Sequence, residues 1–195
     1  MKLSRSQLKK LILEELALVA VQPPGGPVSP GAPPAGAASG ASLSEALTMW
    51  LGHIRAVQLW FHSAHHVVSG PSYAGDHVNL YGRIYTEVQD GIDGDVEKAV
   101  GVTADIGVAC AHALTEIALG VLQKYPSPVS LDAEGIADTA LKMVRDHIGL
   151  VEQLFDDLEA SGELTLGLND HLAAQANTFE TYVYLLQQRA GSPGM

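Results

Sequence analysis

Residues 43–68, LSEALTMWLGHIRAVQLWFHSAHHVV, contain the pattern that decides the fold. Apolar and aromatic side chains return every three to four residues, which is the spacing of one face of an α-helix. Ser42 immediately precedes this run and forms, with Glu45, a capping-box signature for a helix N-terminus. The stretch therefore predicts a helix over 43–68. Its inner seam is heptad-like and consists of Ala46, Trp50, His53, Val57, Trp60, Ala64 and Val67.

The helical spacing recurs in the rest of the chain, and nothing alternates as a strand would. SGPS at 69–72 ends the first helix, and the prolines of PSPVS at 126–130 forbid a helix there. SGELTLG at 161–167 separates the last two helices. The predicted helices after the first cover about 73–100, 103–125, 137–158 and 168–186, with a short turn at 101–103.

The lengths of the connections predict how the helices are arranged. Two short connections and one long one describe an antiparallel pair, a crossover and a second antiparallel pair. This is the topology of ferritin-like folds. We therefore expect an all-α protein in which residues 43–190 form a ferritin-like four-helix bundle with an extra helix in its long crossover.

The segments outside the predicted bundle differ from it in composition. Residues 1–16, MKLSRSQLKKLILEEL, have helical apolar spacing and predict an amphipathic leader helix. Residues 17–42 are rich in Pro, Gly, Ala and Ser, which cannot bury enough apolar area to offset their ordering entropy. We interpret 17–42 as a flexible linker and 191–195 as a disordered tail.

The net charge of the chain indicates which classes of partner it favours. The chain of 195 residues contains 11 Lys plus Arg and 22 Asp plus Glu, a formal net charge of −11. Such a surface repels nucleic-acid phosphates and attracts metal cations. The four basic residues of the leader are offset by two glutamates, so we expect only weak, salt-sensitive contact with DNA.

The sequence lacks the features of disulfide-bonded, secreted, membrane-spanning and nucleotide-binding proteins. Cys110 is the only cysteine, which excludes an internal disulfide and fits a reducing compartment. The most apolar run, 11–21, is interrupted by Glu14 and Glu15, so neither a signal peptide nor a membrane span is predicted. No Gly-rich phosphate loop or nucleophile motif occurs in the sequence. We therefore expect a cytoplasmic protein whose chemistry comes from histidines and carboxylates.

Those side chains concentrate around the turn between the first two helices. Four histidines within sixteen residues bracket it, and Asp93 and Glu97 stand four apart on one face of the second helix. Imidazole with carboxylate is a ligand set that suits iron, manganese or zinc. The histidines are His62, His65, His66 and His77.

The same residues resemble a known family. HHVVSGPSYAGDH at 65–77 resembles the stretch His, Trp, three residues, Gly, two residues, aromatic, three residues, His of the Dps-type mini-ferritins. Gly70 and Tyr73 fall on the family's glycine and aromatic residue. The segment 90–98, DGIDGDVEK, resembles its Asp, three residues, Glu motif.

The resemblance implies a ferroxidase site formed by His65, His77, Asp93 and Glu97. In this family the two histidines come from one subunit and the two carboxylates from a neighbour, within a hollow shell that usually has twelve subunits. It implies that ferrous iron, mononuclear or di-iron, is oxidised by peroxide or oxygen and stored or detoxified. Manganese or zinc would also suit these ligands. His62 and Asp76 are candidates for additional metal ligands.

Two positions depart from the family pattern. His66 replaces the family's tryptophan. Asp93 follows His77 by sixteen residues, one more than in the family, which turns the carboxylates by about 100° around the helix. A π-bulge in the second helix would absorb the extra residue.

The remaining histidines are expected to have structural or surface roles, and a second function is compatible with the sequence. His53 lies on the apolar seam and is expected to pack in the core, whereas His112, His147 and His171 are expected on the surface. The alternative function is a non-catalytic ferritin-fold structural or adaptor protein, with residues 1–16 as the segment that docks to a larger assembly.

Overall fold

The structure, a computed structural model, describes residues 42–191. Within this range it is all-helical, as predicted, and contains no strand. The leader helix, almost all of the linker and residues 192–195 lie outside the described residues.

The first helix, α1, spans Leu43–Val67 and begins as the sequence predicts. The Ser42 hydroxyl accepts the Glu45 N–H at 3.3 Å, and the Ser42 N–H donates to the Glu45 carboxylate at 2.7 Å. This capping box satisfies amides that the first turn cannot pair internally.

The second helix contains an irregularity of the kind that would absorb the extra residue before Asp93. A π-helical segment, Gly75–Gly82, runs directly into α2, Arg83–Thr103. The predicted turn at 101–103 is wrong, because Gly101 stays inside the helix. The helix ends only at Ala104, which is left-handed at φ 53° and donates its N–H to the Val100 carbonyl.

The crossover contains a shorter helix than predicted. A 3₁₀ turn, Ile106–Ala109, comes first because the Asp105 carboxylate accepts the Gly107 N–H at 2.8 Å. The crossover helix, α3, then spans only Ala111–Leu122. A second 3₁₀ turn, Pro128–Ser130, lies in the proline-containing break.

The last two helices form an antiparallel pair. Helix α4 spans Ala133–Ser161, and α5 spans Leu166–Arg189. Gly162 at φ 75° ends α4 in the left-handed conformation that glycine adopts readily. Thr165 then caps α5 by accepting the Leu168 N–H at 3.2 Å.

Each of the four long helices packs against two of the others. Helix α1 contacts α2 and α4, and α5 contacts α4 and α2, while α3 lies on α1. The contact with α3 requires Gly52, because a Cβ there would lie 2.4 Å from Ile117 Cγ2. No helix in residues 42–191 combines the length and apolar character needed to cross a membrane. Fully buried large side chains at the centre include Trp50, Phe61, Tyr81, Met143 and Tyr182.

Candidate functional site

The turn between α1 and the π-helical segment brings two of the predicted histidines together. Gly70 adopts φ 89°, which favours glycine, and its carbonyl accepts the Tyr73 N–H at 3.1 Å. The chain therefore reverses within a few residues. His65 in the last turn of α1 then faces His77 near the start of the π-helical segment.

The two rings are held by a reciprocal pair of hydrogen bonds. His65 Nδ1 donates to the His77 carbonyl at 2.7 Å, and His77 Nδ1 donates to the His65 carbonyl at 2.6 Å. The imidazoles stack with centroids 3.9 Å apart and planes 15° apart. Both side chains are half-buried.

These bonds decide which ring nitrogens are available. A carbonyl oxygen can only accept, so both Nδ1 atoms must carry a proton. In the neutral rings both Nε2 atoms of His65 and His77 then have a free lone pair. A backbone carbonyl that holds one nitrogen and so fixes the tautomer is the usual support of a metal-binding histidine.

Gly82 is what allows this arrangement. A Cβ at residue 82 would lie 2.4 Å from the His77 carbonyl oxygen and 2.7 Å from His65 Nδ1. Any side chain would therefore collide with both partners of one of the two hydrogen bonds. The sequence signal was a glycine inside a helical pattern, which often marks close packing.

Aromatic rings and an open pocket surround the pair. Tyr73 stacks on His77 with centroids 4.9 Å apart, and Tyr85 lies 6.2 Å from His65 on the other side. A pocket of about 420 Å³, lined by His65, Gly82, Tyr85 and Val78 among others, opens beside the site. Ions could therefore reach the histidines from outside the chain.

The predicted carboxylates do not join the histidines within one chain. Asp93 and Glu97 are both exposed on α2. Asp93 lies eleven residues beyond Gly82, which is about 16 Å along a helix axis. Within residues 42–191 no three or more His, Cys, Asp or Glu side chains are grouped closely enough to hold a metal ion.

The two candidate additional ligands have other partners. The buried Asp76 carboxylate accepts from Arg189 Nε at 2.8 Å to each oxygen, so an ion pair with the end of α5 occupies it. The His62 ring packs on Tyr85 and bonds to His66 instead of to the central pair.

A second polar cluster crosses the protein interior and was not predicted. His53 on α1 meets His147 on α4 at 3.1 Å between their Nδ1 atoms. His147 Nε2 donates to Gln175 Oε1 at 3.1 Å, and Gln175 Nε2 donates to the Asp95 carboxylate at 3.2 Å. His171 Nε2 adds a 2.7 Å contact to Asp95.

The direction of these bonds follows from the groups at either end. Trp50 Nε1 can only donate, and it donates to Gln175 Oε1 at 2.8 Å. That oxygen also accepts from His147 Nε2. Neutral His147 therefore accepts at Nδ1, and His53 Nδ1 must be the donor.

Burial keeps His53 and His147 of this cluster neutral. It lowers the pKa of His53 to about 4, which outweighs nearby Asp146, while Lys124 lowers this pKa further. Burial and neighbouring His53 also hold the pKa of His147 well below its ordinary value, although its bond to Gln175 opposes them. The surface positions expected for His147 and His171 are thus wrong. His147 is 0 % exposed and His171 is partly buried against Asp95, so of the three histidines expected on the surface only His112 is exposed.

Comparison with known proteins gives no identification. No protein-family model matches the chain, and no curated protein is significantly similar to it in sequence.

Proposed function

We propose that this chain is a Dps-like mini-ferritin of the cytoplasm that binds and oxidises ferrous iron at sites shared between two copies. The observation that carries the proposal is the reciprocal hydrogen bonding of His65 and His77, which leaves two imidazole nitrogens free to bind a metal. These nitrogens lie at an accessible corner of the molecule, the turn between α1 and the π-helical segment. The packing of four long helices with a helix in the α2–α4 crossover supports a ferritin-like bundle.

The second half of the proposed site comes from another copy. Asp93 and Glu97 are one turn apart and exposed, so both carboxylates can approach a partner's histidines. They are too far along α2 to reach the histidines of their own chain. The π-helical segment Gly75–Gly82 supports this register, because most of it follows His77 and precedes the carboxylates, where an extra residue must be absorbed.

Exposed apolar side chains near the corner favour an interface with a second copy. Tyr73, whose ring stacks on His77, and Val78, which lines the pocket beside His65, are 47 % and 60 % exposed. Large apolar side chains that share one exposed area mark interaction surfaces more often than free surface. A two-fold interface here would pair the histidine half of each copy with the carboxylate half of the other, and repetition of such contacts would build a shell.

The ligand set determines the chemistry of the proposed site. Neutral imidazoles and ionised carboxylates bind ferrous iron as the substrate and also suit manganese or zinc. Two ferrous ions each lose one electron to a peroxide, whose O–O bond breaks as it takes up two protons and leaves as two waters. Surplus carboxylates in a chain of net charge −11 would draw further cations to the assembly.

Ferric-ion formation after mixing with ferrous iron and peroxide tests the proposal. We expect His65→Ala and Asp93→Ala each to slow it at least tenfold relative to wild type. His112→Ala, which changes an exposed histidine on α3, is the matched control and should leave the rate unchanged. Equal rates in all four proteins would refute the iron-oxidation site.

A further inference from the structure

A second histidine pair lies on α1, one helical turn apart. His62 is half-buried and His66 is exposed, and their Nε2 atoms face each other at 3.2 Å. The rings are nearly perpendicular, with centroids 4.8 Å apart. This pair is separate from the His65–His77 pair, whose rings are fixed by backbone carbonyls across the turn.

We propose that His62 and His66 form an exposed binding site for a divalent transition-metal ion, with zinc as its reference ion. Residues at i and i+4 share one helix face, which is the spacing at which two helical histidines chelate zinc. This site is independent of the iron-oxidation proposal, because it needs neither a second copy nor the carboxylates of α2.

The distance between the two nitrogens fits one ion. Zinc–nitrogen bonds are about 2.0–2.1 Å long. Two such bonds to nitrogens 3.2 Å apart enclose an angle of about 100° at the metal, near the tetrahedral value. The spacing of the two nitrogens therefore suits one ion once the rings turn both lone pairs towards it, and water would complete the coordination.

Neighbouring rings hold the pair in this geometry. The His62 ring packs on Tyr85 with centroids 4.6 Å apart, and the His66 ring lies 4.8 Å from His65. Side chains that are already ordered lose less entropy on binding. Exposure of His66 leaves the ion a path from solvent.

The contact between the two rings is a hydrogen bond in which one Nε2–H donates to the other Nε2. Zinc needs the lone pair of both nitrogens, so in the ring that donates, the proton must move from Nε2 to Nδ1 when the ion binds. A histidine pair that only forms a hydrogen bond takes up no zinc, whereas a metal-binding pair takes up one ion, and a titration distinguishes the two.

Calorimetric titration of the full chain with zinc chloride tests the site, in a His77→Ala background that disables the other histidine pair. We expect His62→Gln and His66→Gln each to remove one bound ion per chain or weaken its binding at least tenfold. His112→Gln, in the same background, should bind zinc like the parent. Circular dichroism would verify that all variants retain their helix content.

The site is overturned if His62→Gln and His66→Gln bind zinc with the same stoichiometry and affinity as His112→Gln. The same loss of one ion must also appear when His66→Gln is made in the wild-type chain. Failure of ferrous oxidation leaves these titrations unaffected, so the two proposals can be judged separately.

Discussion

Acidification is predicted to weaken the fold, because its interior holds two neutral histidines. Burial lowers the pKa of His53 to about 4 from an ordinary value of 6.5. The unfolded chain takes up a proton on this residue as the pH falls through 6.5, whereas the folded chain does not until about pH 4. The free energy of unfolding therefore falls as the pH falls through this window.

The size of the effect follows from the shift. Each pKa unit corresponds to about 1.4 kcal/mol, so His53 alone lowers the free energy of unfolding by about 2 kcal/mol between pH 7 and pH 5. His147, whose pKa burial also lowers, adds a loss of the same sign.

Urea unfolding at pH 7 and pH 5, at one fixed chain concentration, measures this loss. His53→Gln removes the titrating group but keeps an N–H that can donate to His147 Nδ1. We expect its stability to decline by about 2 kcal/mol less than that of wild type over this range. His112→Gln, which removes an exposed histidine, should decline like wild type.

One result would refute the reasoning. If His53→Gln and His112→Gln lose stability equally between pH 7 and pH 5, then His53 is not held neutral by the folded chain.

Two further pairs of substitutions test the close packing at Gly82 and the buried hydroxyl of Tyr81. Gly82→Ala places a Cβ 2.4 Å from the His77 carbonyl oxygen and should lower the free energy of unfolding, measured by heat or urea, by about 1–3 kcal/mol. Gly91→Ala, on the open side of α2, should raise it by up to about 1 kcal/mol. The opposite ranking would contradict the packing around Gly82. Tyr81→Phe should leave the free energy of unfolding unchanged or raise it, because the Tyr81 hydroxyl is buried without a hydrogen-bond partner. Tyr182→Phe loses a 2.7 Å hydrogen bond to a carboxylate and should lower it by about 1 kcal/mol. A larger loss from Tyr81→Phe than from Tyr182→Phe would show that the Tyr81 hydroxyl has a partner.

Local sequence signals predicted the helices well. The seam of α1 and its capping box at Ser42 are confirmed, because apolar period and cap chemistry are both properties of neighbouring residues. The end of α2 was misjudged, since Gly101 is tolerated within a helix and the left-handed Ala104 has no sequence signature. Helix ends depend on tertiary context as well as on local preference.

The corner was predicted in part. The spacing of His65 and His77 across a glycine turn brought them together as expected. A π-bulge in the second helix was named only as a condition for the family's ligand register, and the structure has a π-helical segment there. The backbone carbonyls that fix the rings could not be predicted, because they depend on the path of the chain through the turn. Gly82 became meaningful only once its missing Cβ could be placed in space.

The buried cluster was missed for a physical reason. Asp95 lies on the same helical stripe as Ile92 and Ala99, and His147 lies between Val144 and Val151, so both positions faced the interior. A polar side chain tolerates burial only with partners. Those partners come from other helices, and periodicity within one helix does not reveal them.

The central claim is that each iron site is shared between two copies, and mixing two inactive variants tests it most directly. His65→Ala breaks one half of the site and Asp93→Ala breaks the other. In mixed dimers of these chains one of the two sites is intact, so equal amounts co-refolded should regain about a quarter of wild-type ferrous oxidation.

The control for this measurement is a mixture of His65→Ala with His77→Ala, which damages the same half in both chains and should regain nothing. Recovery in the first mixture alone is the predicted result. A first mixture no more active than its parent variants, with wild type active under the same refolding, would contradict a site built from two copies.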